Sequence, residues 1–124
     1  MNILKGLIRQ HQKTKESSLR VTNEGFYIES EISNAYIGWL DITKLTVYKM
    51  DLIAIDLVCL EVEAKLSKTY IIHEEMEGWT EVITEMNRIL NLDSNWLANV
   101  TLPPFQRNET IIYQKVQKIH TQDL

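Results

Sequence analysis

A chain of 124 residues with 44% hydrophobic content is one domain's worth of sequence, rich enough in apolar side chains for a real core and unlike a disordered chain. No stretch approaches the ~20 apolar residues that a bilayer-spanning helix needs. The net charge of −4 is uneven: residues 1–22 hold five of the thirteen Lys and Arg but one of the seventeen Asp and Glu, and the acidic remainder argues against nucleic-acid binding by repelling phosphate backbones.

Residues 1–18 read as a basic N-terminal segment, a short or frayed helix. Leu4, Leu7 and Ile8 form a small apolar face with Lys5 and Arg9 elsewhere, which is the pattern of an interfacial helix. These five residues are the candidate membrane contact, although two turns bind a bilayer weakly and packing or fraying is the plainer reading. Lys5 and Arg9 interrupt the apolar run and no small-residue cleavage site follows, so a secretory signal is not expected and a cytoplasmic location is. The single cysteine, Cys59, lies among Leu57, Val58 and Leu60 and reads as a buried thiol in a reducing compartment. Two N-x-T triplets, at Asn99 and Asn108, then read as turn residues rather than glycosylation sites.

Residues 19–124 read as a single domain. Residues 19–22 and 26–29 are two short β-type runs around Asn23-Glu24-Gly25, where Gly25 can take the positive φ that a tight hairpin turn needs and Asn23 tolerates one too. Residues 35–39 follow as a strand, then 45–50 and 57–63. In the last of these Val58, Leu60 and Val62 share one face, and Leu57, Cys59, Glu61 and Glu63 the other, the alternation of an antiparallel strand with one buried face. Residues 64–67 make the return and 68–73 the partner strand.

The period then changes. Trp79, Val82, Ile83, Met86, Ile89 and Leu90 recur at helical spacing, so an amphipathic helix is expected near 78–91. Each large side chain that such a stripe fully buries is worth about 1.5–3 kcal/mol. Trp96, Leu97 and Val100 suggest a further helical turn, entered through Asp93 or Ser94. Pro103-Pro104 forces an extended path, Phe105 is placed to fill a hydrophobic gap, and residues 110–113 read as a last strand of a segment that wraps back onto the domain.

No residue pattern carries catalysis. His73-Glu74-Glu75 lacks a second histidine at helical spacing, so it does not read as a metal site. Asp51/Asp56 and Glu61/Glu63 are carboxylate pairs without a supporting motif, and no phosphate loop or nucleophile motif occurs. No cofactor is expected. The least expected alternative is a small hydrolase or lyase using His73 with Glu74 or Glu75. The most distinctive surface feature is the acidic run Glu74, Glu75, Glu77, Glu81 and Glu85, a candidate surface for a basic protein partner. Trp39, Trp79 and Trp96 are expected in the core.

The stretches YIGWLDITKL, YKMDLIAIDLVCLEV and KTYIIHEEMEGW, followed by NWLANVTLPPFQRNETIIY, resemble small bacterial pleckstrin-homology-like proteins over residues 19–113. The resemblance implies an α+β, mainly β fold: a bent antiparallel sheet or partly open barrel of about seven strands, closed by the helix near 78–91 and followed by a C-terminal extension. It implies a binding module rather than an enzyme. The early turn lacks the basic cluster of lipid-binding relatives, which points away from headgroup binding. The function expected is thus a non-catalytic cytoplasmic interaction module, one concrete form being an immunity-type inhibitor of a basic protein. The alternative is a peripheral membrane module held by the N-terminal segment.

Overall fold

The computed structural model describes residues 17–52, 55–101 and 109–116. Residues 1–16 of the basic N-terminal segment, Pro103-Pro104, Phe105 and Asn108 lie outside them, whereas Ser18, at the end of that segment, is already in a strand. Among the described residues the strands are β1 (Ser18–Val21), β2 (Gly25–Glu29), β3 (Asn34–Gly38), β4 (Ile42–Leu52), β5 (Ile55–Ala64), β6 (Thr69–His73) and β7 (Thr110–Gln114). Two helices, α1 (Trp79–Ile89) and α2 (Trp96–Thr101), stand between β6 and β7.

The strands form two antiparallel sheets, β1-β2-β3 and β6-β5-β4-β7. The mainly β, antiparallel class expected from the sequence is therefore present. The seven strands divide between two sheets, which do not close into a barrel among the described residues. The break falls after β3, where Trp39–Asp41 form a single 3-10 turn and Trp39 drops into the core against Phe26, ring centroids 5.5 Å apart. A buried indole at that point ends the pairing of β3 and redirects the chain into β4.

Both sheets turn one face to a common core. Leu19, Phe26 and Ile37 come from the first sheet, and Leu45, Val47, Val58, Leu60, Val62 and Ile72 from the second. In α1, Trp79, Val82, Ile83 and Met86 are buried, with Ile89 and Leu90 packed beside them, which is the predicted stripe. All three tryptophans are buried. Trp96 closes the space beyond α1 and donates its Nε1–H to Asn87 Oδ1 at 2.7 Å, so α2 is tied to α1. The turn before it is held by Asp93, whose carboxylate accepts the Asn95 N–H at 2.9 Å. β7 then returns to β4, and the Lys115 N–H donates to Thr43 O at 2.8 Å.

Two glycines place these elements, one of them differently from expectation. Gly25 is in β2 with ordinary extended backbone, and the turn before it is closed by Thr22, whose Oγ1 accepts the Glu24 and Gly25 N–H groups. Gly25 is required by close approach: a Cβ there would lie 2.2 Å from Ile37 O. The positive φ falls instead at Gly78 (92°), where the chain enters α1. A Cβ at Gly78 would lie 2.0 Å from Leu19 O, so bare backbone lets the start of α1 sit against β1. The Leu19 N–H completes that seam by donating to Glu77 O at 2.7 Å.

Candidate functional site

The acidic run is not one free surface. Glu74 follows β6 and its Oε2 accepts the Val58 N–H at 2.7 Å, while its own N–H donates to Val58 O at 3.1 Å. Its carboxylate thus finishes the β5–β6 ladder, where an unmet amide would cost about 1–3 kcal/mol. Glu85 is bound by Arg88 at 2.6 Å, and that hydrogen bond holds its carboxyl below the usual range. Glu75, Glu77 and Glu81 are exposed. The sequence reading placed all five together because a linear run of glutamates does not reveal that one of them closes a strand ladder. Of the other candidates, Leu4, Lys5, Leu7, Ile8 and Arg9 lie outside the described residues. No helix among the described residues is long and apolar enough to cross a membrane.

One member of each carboxylate pair has a cationic partner. Asp56 lies 4.0 Å from the buried Lys49 ammonium, and Glu63 lies 3.7 Å from Lys44 across the β4–β5 pair. No group of three or more His, Cys, Asp or Glu among the described residues is arranged to hold a metal.

One juxtaposition escaped the sequence. The β4–β5 and β5–β6 registers place Tyr48, Cys59 and His73 in a single row across the second sheet. A cysteine beside a histidine invites a nucleophilic reading, but the local chemistry opposes it. Cys59 is 1% exposed, and burial pushes its thiol up; the nearby Tyr48 hydroxyl offsets part of this rise and the Glu74 charge adds to it. Burial also pulls the His73 imidazole down, against the opposing charges of Glu75 and Glu74. The Glu75 N–H donates to His73 Nδ1 at 3.2 Å, so the neutral ring carries its proton on Nε2. Both groups are thus held neutral, the reverse of a thiolate–imidazolium pair.

Two measurements follow from this row. Cys59 should react with a chromogenic disulfide reagent at neutral pH only when the protein is unfolded, and rapid reaction of the native thiol would contradict the assignment. For His73 the folded state favours the neutral ring, so its stabilisation is fully present above the unfolded value near 6.5 and is lost as pH falls below it, until the depressed folded value is passed. Urea unfolding from about pH 7 down to about pH 5 should show a loss of stability that shrinks in His73→Asn, whose amide oxygen replaces the Nδ1 acceptor. An unchanged slope would refute it.

The outer face of the first sheet carries the other row brought together only by register. Arg20, Tyr27 and Tyr36 lie side by side on adjacent strands. The Arg20 guanidinium sits 4.2 Å from the Tyr27 ring centre, and the Tyr27 and Tyr36 rings are 4.8 Å apart. Glu29 holds Arg20 at 2.9 Å. Tyr36 remains 44% exposed, with its hydroxyl over the bare backbone of Gly25. Ile32 and Leu40 add exposed apolar surface at either end of β3. Beside β1 the seam with α1 opens into a groove of about 570 Å³ between residues 21–23 and the helix face of Thr80, Glu81, Thr84, Glu85 and Arg88. Glu77, whose carbonyl accepts the Leu19 N–H, and Glu81 on the groove wall lie on the β1 side of the first sheet.

Compared with protein-family models, with curated proteins and with solved structures, the chain matches none.

Proposed function

We propose that the protein is a non-catalytic interaction module, built on a pleckstrin-homology-like plan, that binds a basic protein partner through the outer face of the β1-β2-β3 sheet. The observation that carries this reading is the Arg20–Tyr27–Tyr36 row, whose guanidinium and rings stack against one another on the outer face. Tyrosine and arginine dominate binding hot spots because they bring large contact area at modest entropic cost. The exposed residues Glu77 and Glu81 beside β1 supply charge of the right sign for a basic partner, whose lysines or arginines would also stack on the tyrosine rings. The burial of Cys59 as a neutral thiol and the hydrogen bond that Glu74 already accepts from Val58 weigh against the enzymatic alternative. An immunity-type inhibitor of a basic protein is one concrete form of this role.

The test is affinity capture from source lysate with the wild type and with a Glu75→Lys/Glu77→Lys/Glu81→Lys variant of unchanged circular dichroism. The expected result is a basic protein retained by the wild type, and retained several-fold less by the variant. Equal retention would remove the electrostatic part of the proposal.

A further inference from the structure

We propose that β6 is a self-association edge, and that it pairs antiparallel with β6 of a second copy about a two-fold axis at Ile71. β6 ends the second sheet, and no described residue pairs with its outer side. Its hydrogen-bonding directions follow from its neighbours. The Ala64 N–H donates to Lys68 O and the Glu74 N–H to Val58 O, so Lys68, Tyr70, Ile72 and Glu74 face β5. Thr69, Ile71 and His73 therefore direct their N–H and C=O groups outward. The His73 carbonyl is already used by the Met76 N–H, where the chain turns away.

Charge selects the occupant. β6 has Lys65 and Lys68 at its start and Glu74 and Glu75 at its end, all exposed. Antiparallel pairing centred on Ile71 sets Lys68 of each copy opposite Glu74 of the other, once on each side of the axis. Glu74 already gives Oε2 to Val58, and a carboxylate accepts several donors. Parallel pairing would set like charges side by side. At the axis the two Ile71 residues exchange both backbone bonds, and on either side the His73 N–H reaches Thr69 O. Ile71 is 52% exposed on the outer face and gains an apolar neighbour in its own copy. Two of the usual edge guards are absent. β6 has no proline, and its register with β5 runs without a bulge. A five-residue ladder is small, so the association belongs to the weak class and needs high protein concentration.

Sedimentation equilibrium up to millimolar concentration is the test. The wild type should approach twice the 14.5 kDa chain mass, with affinity falling as salt rises. Ile71→Pro removes an outward N–H and no bond to β5, so it should leave a folded monomer. Lys68→Glu should weaken association about tenfold by placing like charges opposite each other, and it decides the matter if the proline variant does not fold. A wild type that stays monomeric overturns the proposal, whether or not the edge takes a strand from another protein. So does a dimer whose affinity Lys68→Glu leaves unchanged.

Discussion

Replacing Gly78 with alanine should lower the stability of the fold by about 3–5 kcal/mol, combining a left-handed non-glycine residue with an overpacked contact. The two costs are independent. Gly78 has φ 92°, and its added methyl would stand 2.0 Å from Leu19 O and 2.8 Å from Leu19 C. Neither atom belongs to a side chain that can swing away, and Leu19 is fixed by its 2.7 Å bond to Glu77 O. Relief therefore requires α1 to lift off β1, which would expose Trp79 and Val82. Urea unfolding measures the loss. A change under about 1 kcal/mol, the size of an ordinary surface substitution, would mean that this seam is not where α1 is positioned.

Met86→Ala should cost about 2–5 kcal/mol, the range for truncating a fully buried large side chain. Met86 has no exposure, and it packs into the core formed by both sheets. Its truncation leaves a cavity where α1 meets that core, and the rigid strands around it collapse only partly. Glu81→Ala on the groove side of the same helix should change stability by no more than about 0.5 kcal/mol. The contrast between the two substitutions, read in one unfolding experiment, locates the buried stripe. Equal effects would contradict it.

Much of this fold was legible in the residues, for reasons that differ by element. The β5 alternation and the α1 stripe are local periods; burial followed the stripe at Val82 and Met86 and the face of Val58, Leu60 and Val62, whereas Leu57 and Cys59 are buried on the opposite side of β5 too, which the alternation did not reveal. The ends were less legible. β4 runs Ile42–Leu52 because its pairing with β5 extends past the apolar residues that marked its centre. Gly25 was misread because its neighbours look like a turn, whereas its need arises from Ile37 on another strand. The candidate surface was less legible still. The Arg20–Tyr27–Tyr36 row and the Tyr48–Cys59–His73 row exist only once strand registers are known. A one-residue slip would send any one of these side chains to the opposite face. The glutamate run was visible, but Glu74 and Glu85 are engaged by partners that spacing alone does not identify as theirs.

The most direct test of the account is quantitative capture of the partner by a Tyr27→Ala/Tyr36→Ala variant of verified fold, compared with the wild type. If the tyrosine face is the working surface, the double variant should lose at least about 30-fold in affinity, the scale of a hot-spot truncation of about 2 kcal/mol. The same partner held with unchanged affinity would show that recognition occurs elsewhere on the molecule.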